Sequence, residues 1–264
     1  MTLSETQTSR ILEWEGCFNV RDLGGLATHD GGRTRMGALV RADVPTRLTP
    51  AGRAALLAHG IRTLIDLRFT HEVALDWDMY PFQEAAGDQG AVVVNYANVP
   101  FNTGRDPADD EAIHAAYRAA TSRTELNRLD LDRNRSGIVA GVAAIADADA
   151  GGVLVHCHAG KDRTGIIVAL LLSLVCVSDD DIADDYARTA VNLDLLISEW
   201  LDSVSEDPAE RARLRALAMP SRGAMLDTLG HLRYRYESAE TYLRAGGVTD
   251  AQIGQLRARL LEGA

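Results

Sequence analysis

Lysine is nearly missing from this chain of 264 residues: of its 27 basic residues, 26 are arginine and only Lys161 is lysine. Cysteine is scarce as well, and Cys17, Cys157 and Cys176 are too few and too widely spaced for a disulfide framework. A single protective disulfide between Cys17 and Cys157 would need the fold to bring them together; otherwise Cys17 is expected to be structural. Long apolar runs are absent too. The longest, Ile166–Val177, has about twelve residues against roughly twenty needed to cross a bilayer. It is expected to form a buried helix, with Cys176 as a small buried apolar residue. Positive charge is short overall, since 38 acidic residues leave a net charge of −11. That balance excludes a general nucleic-acid-binding face and disfavours an anionic membrane surface, although a local basic pocket can survive in an acidic whole. Met1–Arg10 is polar and lacks the apolar core of a secretory signal. The expected location is the cytoplasm, with export by a signal-less route as the alternative.

What is present is an ordinary globular composition, 46% hydrophobic and 25% charged, able to bury a large core. The pattern predicts short strands at Ala38–Arg41, Ile61–Leu67, Ala91–Val99 and Val153–His156. Glu13–Gly25 reads as a folded entry segment, with Phe18 and Val20 alternating before a turn at Asp22–Gly25. Thr49-Pro50 opens a helix as N-cap and first-turn proline, and Gly60 closes it. Further helices are expected over Glu111–Ala120, Ser136–Ala148 and Thr164–Cys176. Ser178 caps the next one, with Asp179–Asp181 at the positive end of its dipole. Thr249 with Gln252 forms a capping box, and Val248 with Ile253 a hydrophobic staple, for a last helix ending near Leu261. Strands alternating with helices, followed by helices alone, predict an α/β fold with a flanked sheet and an additional C-terminal helical layer. Residues 13–261 are expected to form one domain.

The lone lysine sits in His156-Cys157-His158-Ala159-Gly160-Lys161-Asp162-Arg163-Thr164-Gly165. Cys-x5-Arg alone is weak evidence; its context is specific. A strand runs into Cys157 and an apolar helix leaves at about Thr164. A short turn between them can aim backbone N–H groups inward, and with the helix dipole these form a site for a phosphate dianion. Gly160 suits such a turn because it permits positive φ and a close approach of backbone to ligand. Cys157 at its centre is then stabilised as a thiolate nucleophile. Arg163 can hold two phosphate oxygens through its planar fork, and Thr164 can donate to the departing sulfur. His158, Ala159 and Gly165 are expected to bind substrate mostly through the loop backbone, and Lys161 as a point charge on phosphate or on a second anionic group. His156 reads as a buried strand histidine. The leaving group needs a proton, for which Asp162 is nearest in sequence. Asp66, at the end of a predicted strand, is its rival, or else a structural carboxylate paired with Arg21, Arg41 or Arg68.

The ten-residue motif resembles the signature of the atypical bacterial tyrosine phosphatases, whose loop is like that of lipid phosphatases. The resemblance extends to Phe18-Asn19-Val20-Arg21-Asp22-Leu23-Gly24-Gly25, Gly37–Arg41, Asp66-Leu67-Arg68 and the tail from Tyr242 to Thr249. It implies phosphotyrosine hydrolysis, with phosphoserine/threonine as further substrates and no metal or organic cofactor. It also makes phosphoinositides the alternative substrate, because the loop lysine and aspartate of phosphoinositide phosphatases map onto Lys161 and Asp162. A pair of helices lids the active site in a mycobacterial member, and the resemblance implies an equivalent here within 192–221. Ordinary tyrosine phosphatases carry their acid in a Trp-Pro-Asp loop; Trp77-Asp78 lacks the proline and is read as chance. A catalytically inactive phospho-binding module is a further alternative, disfavoured because nucleophile, arginine, hydroxyl and acid candidates are all present. A sulfur- or arsenate-handling enzyme would want a resolving cysteine close to Cys157, and none is there.

Overall fold

Among the described residues, four of the five strands run parallel and end in register, which is what brings distant segments to one edge. The computed structural model describes residues 10–77, 94–104 and 106–263. The strands are β1 (Arg21–Asp22), β2 (Leu39–Ala42), β3 (Ile61–Asp66), β4 (Asn95–Asn98) and β5 (Gly152–His156), in the order β1-β2-β5-β3-β4. Only β1 is antiparallel to its neighbour. Ala42 and Asp66 both stand beside His156, and Asn98 stands beside Asp66. The carboxyl ends of β2, β5, β3 and β4 therefore share one edge, where ligands of open α/β sheets bind.

The helices are α1 (Pro50–Ala58), α2 (Thr70–Ala74), α3 (Asp110–Ala119), α4 (Arg123–Arg133), α5 (Arg135–Ala146), α6 (Asp162–Leu174), α7 (Asp179–Val204), α8 (Pro208–Ala218), α9 (Arg222–Tyr236), α10 (Ala239–Ala245) and α11 (Asp250–Leu260). Side chains alternate across the strands. Leu39, Ile65, Val153 and Val155 face the larger core with α5, α6 and the C-terminal helices. Val40, Ala42, Leu64 and Leu154 face Trp14, Leu48 and Leu56 of α1. A register shift between Ile61 and Thr63 explains why Ile61 and Leu64, three apart, share that second face. The sheet is thus flanked by helices with a C-terminal helical layer, as the sequence pattern predicts.

The local signals act as read. Thr49 Oγ1 accepts from Gly52 N at 3.2 Å, Ser178 Oγ from Asp181 N at 3.1 Å, and Thr249 with Gln252 closes a capping box. Val248 and Ile253 are both buried in the larger core. Three expectations differ. Phe18 is exposed while Val20 is buried, so the two do not share one face ahead of β1. The strand expected over 91–99 is seen as Asn95–Asn98; its first three residues, like Asp78, lie outside the described ones. Cys176 is exposed, not buried. The helix stops two residues before it: Cys176 N donates to Ser173 O and Val177 N to Leu172 O, a Schellman turn. Cys176 takes its left-handed position at φ 60°. Apolar composition carried the sequence reading past the helix end, where the turn rotates the side chain into solvent.

α7 runs for 26 residues. Its first half packs in the larger core through Ile182, Ala183 and Tyr186. Its second half, through Leu193, Ile197 and Leu201, packs with Ala218 of α8 and partly buried Ala159 of the 157–161 loop. Among the described residues no helix is long and apolar enough to cross a membrane.

Candidate active site

Cys157 follows β5 directly and α6 begins at Asp162, so residues 157–161 form the turn between them. Gly160 sits at φ 61°, and a Cβ there would lie 2.1 Å from Ala42 O. Handedness and space both demand glycine. Gly165 is demanded by packing: its Cβ would meet the Tyr186 ring at 2.7 Å.

The loop's four successive carbonyls are each held by a donor. His156 Nδ1 donates to Cys157 O at 3.0 Å, which fixes the tautomer because a carbonyl only accepts. Val44 N donates to His158 O at 2.9 Å. Asn19 Nδ2 donates to Ala159 O at 2.9 Å and to Gly160 O at 3.1 Å. Arg41 Nη2 also reaches Gly160 O, at 2.7 Å. In a trans peptide the C=O and the following N–H point in opposite directions. Tying back the carbonyls of 157–160 therefore turns the N–H groups of 158–161 the other way, beside the three free N–H groups that open α6.

Arg163 leaves this loop at the first turn of α6. Its guanidinium forms a fork with Glu72, at 2.5 Å and 3.0 Å, and lies 4.8 Å from the centroid of the Phe69 ring. Phe69 N donates to Glu72 Oε2 at 2.8 Å, so α2 fixes the carboxylate that fixes the arginine. Burial pushes Glu72 up, but Arg163 and the Phe69 N–H hold it below the usual carboxylate range. Lys161 is buried, which excludes a solvated surface lysine; its Nζ donates to Ala218 O at 2.6 Å and lies 3.5 Å from Asp162 Oδ2. Arg123 donates to Asp162 Oδ1 at 2.8 Å and also to Leu217 O. The last carbonyls of α8 are thus gripped by the same two cations that flank Asp162. Burial raises the Asp162 pKa, yet Lys161, Arg123 and Arg163 together hold it below the ordinary carboxylate value. Its side chain keeps one-third of its surface exposed, at 33%. Thr164 is fully buried and Oγ1 has no hydrogen-bond partner among the described residues, so the expected donation to sulfur is not made in this conformation.

A profile of the tyrosine phosphatase family matches residues 12–262. The chain belongs to the tyrosine phosphatase family. It is 30% identical to the triple specificity protein phosphatase PtpB of Mycobacterium tuberculosis, over 95% of this chain and 99% of that one. It is 32% identical to a tyrosine-protein phosphatase of Nostoc commune, over 84% of this chain and 74% of the relative. A putative tyrosine-protein phosphatase of Cupriavidus necator is 31% identical over 70% of this chain and 65% of its own length.

In this phosphatase Asp66 takes the pairing with Arg68 that was the alternative to an acid role. Its carboxylate is fully buried and accepts from Arg68 Nε, Nη2 and N, and from Tyr96 Oη at 3.0 Å. Burial raises Asp66, but His156 and Arg68 hold it below the ordinary value. Arg21 and Arg41 pair with Asp185 of α7, not with Asp66. Cys17 and Cys157 are free thiols, which rules out the disulfide between them in this structure. Cys17 Sγ instead lies 2.9 Å from Asp43 Oδ1, and burial together with Asp43 pushes its pKa well up. A cleft of about 560 Å³, lined by Gly37, His59, Gly152 and Arg259, lies at the amino ends of the strands, far from this loop.

Sequence reasoning missed Glu72, Arg123 and Asp185. The only signal for Glu72 is its place three residues after Phe69, the reach-back spacing of a helix start without a Ser or Thr cap. Arg123 and Asp185 carry no local signal. Each is one of many charged helical residues, picked out only by what the fold sets beside it.

Proposed function

We propose that this phosphatase hydrolyses phosphotyrosine through a cysteinyl-phosphate intermediate, acting on phosphoserine and phosphothreonine as well. The observation that carries the reading is the set of four tied-back carbonyls, which turns successive N–H groups toward a dianion in front of Cys157. The Cys157 thiolate attacks phosphorus, the bond from phosphorus to the leaving oxygen breaks, and Asp162 gives that oxygen its proton. Water, losing a proton to the Asp162 carboxylate, then attacks phosphorus. The S–P bond breaks, the thiolate returns and inorganic phosphate leaves. His158, Ala159, Gly160 and Gly165 bind the oxygens through the backbone, Arg163 and Lys161 through charge, and Thr164 donates to the departing sulfur. Asp162 is preferred to Asp66 because, although Arg123 and Lys161 hold it too, a third of its side chain is exposed beside the loop, whereas the Asp66 carboxylate is fully buried. Its lowered pKa is countered when the substrate dianion draws on the same cations.

Residues 13–261 act as one domain in this reading. The second half of α7 with α8 is its lid, held down by Lys161 and Arg123. Phosphoinositides are the second reading, favoured by the buried position of Lys161 next to Asp162; the relative named for triple specificity supports breadth of substrate. Phosphate release from a phosphotyrosine peptide and from a phosphoinositide, measured side by side, decides: much faster lipid turnover would reverse the order.

The acid is tested by leaving group. Asp162→Asn is expected to slow an alkyl phosphate by about 10²-fold or more, and para-nitrophenyl phosphate far less, since a good leaving group needs no proton. Equal losses on both would pass the role to Asp66.

A further inference from the structure

The network behind the loop has more positive charge than it needs. Asp185 of α7 accepts from Arg10 at 2.9 Å, Arg21 at 2.9 Å and Arg41 at 2.7 Å. Asn19, Arg21, Arg41 and Asp185 are all buried, and Arg10 nearly so. Three guanidiniums share the single carboxylate of Asp185, and the other buried carboxylate touching this network, Asp43, accepts from Asn19 N at 2.8 Å, so cations still outnumber carboxylates. Arg41 Nε has no partner among the described residues. Burying uncompensated charge is costly, so a network built only for stability would pair it or replace it with apolar packing. Burial and the nearby Arg41 pull Arg21 down to about 9, a mark of cations crowded together.

The same residues hold the loop. Asn19 offers both its N–H bonds to Ala159 O and Gly160 O, while its own Oδ1 accepts from Arg21 at 2.7 Å and from Asn192 of α7 at 3.1 Å. Asn19 is thereby oriented so that its amide can only donate toward the loop. Arg41 joins Asp185 to Gly160 O directly. Arg21 adds Thr189 Oγ1 and Asp185 O, which spreads the attachment along one face of α7.

We propose that Asn19, Arg21, Arg41 and Asp185, with Arg10, are positioning residues that set the loop's affinity for a phosphate dianion from behind. Asn19 and Arg41 turn the N–H groups of Gly160 and Lys161 forward, and the excess of guanidiniums over carboxylates finds its counter-charge in the bound dianion. The inference rests on the cysteinyl-phosphate reading, and it predicts effects on oxyanion binding that loss of stability does not produce.

The test is competitive inhibition by inorganic phosphate, read beside kcat and the melting temperature, with Cys157→Ser as the control for the underlying reading. Asn19→Asp keeps the shape but sets an acceptor against two carbonyls; its phosphate Ki should rise by roughly tenfold or more. Arg10→Gln removes one charge and touches no loop atom; its Ki should rise roughly threefold. Asp185→Asn removes the negative charge that the three arginines share, and where it folds its Ki should fall. A merely structural role would lower the melting temperature and leave all these constants at the wild-type value. Phosphate Ki within twofold of wild type in both Asn19→Asp and Arg10→Gln would overturn the proposal. If Cys157→Ser remained active, the cysteinyl-phosphate reading would fall instead.

Discussion

Cys157→Ser should lose turnover of para-nitrophenyl phosphate by about 10⁴-fold or more while still binding a phosphotyrosine peptide. The two halves of that result have separate causes. In the proposed reading, binding comes from the N–H groups turned forward by the tied-back carbonyls of 157–160 and from Arg163, none of which the substitution touches. Turnover in the proposed mechanism needs an anionic nucleophile at the end of β5, and a serine hydroxyl stays neutral there, because Asp162 must keep its proton for the leaving group. The histidine that precedes it in sequence cannot serve. His156 is fully buried, burial lowers its pKa, and its Nδ1 proton is committed to Cys157 O. Calorimetric titration of the peptide, paired with steady-state rates, checks both. Activity near wild type would remove Cys157 from the mechanism.

Arg163→Lys should cost on the order of 10³-fold in kcat/KM, or about 4 kcal/mol of transition-state stabilisation. A lysine keeps the charge but loses the fork. In the free enzyme that fork is occupied by Glu72 and backed by the Phe69 ring, so the guanidinium is held in a fixed plane before substrate arrives. An ammonium would satisfy at most one Glu72 oxygen and could not track the trigonal bipyramid with two parallel bonds. Steady-state rates on one aryl phosphate, with circular dichroism to show the fold intact, are sufficient. A loss below tenfold would mean that Arg163 belongs to the Glu72 pair alone.

The parts of the fold that a single sequence revealed are those encoded within a few residues. Thr49-Pro50, Ser178 and the Thr249–Gln252 box are local because a cap bonds within its own turn. The loop from Cys157 to Gly165 was legible for the same reason: strand, turn and helix N-terminus are contiguous. Relations across the sheet were not. Glu72 meets Arg163 from 91 residues away, and Asn19 meets Ala159 from 140. Asn19 was visible as part of a motif, but its task depends on the register that brings Ala42 beside His156. Asp185 reads as one more acid in a helix rich in them; only packing reveals it as the shared acceptor of three arginines. Cys176 erred in the opposite direction, because composition does not say where a helix stops.

The shortage of lysine gives this phosphatase a chemical handle. Lys161 carries the chain's only side-chain amine, and it is 10% exposed with its Nζ bonded to the last carbonyl of α8. Burial pulls its pKa below that of an ordinary lysine, so more of it is in the neutral, nucleophilic form. While α8 stays down, an acylating reagent meets an amine it cannot reach. If the proposed lid lifts, that amine becomes accessible and its pKa returns toward that of an ordinary lysine. The rate at which this one side chain is acylated, read from the mass of the peptide that carries it, then becomes a clock for how often the proposed lid opens.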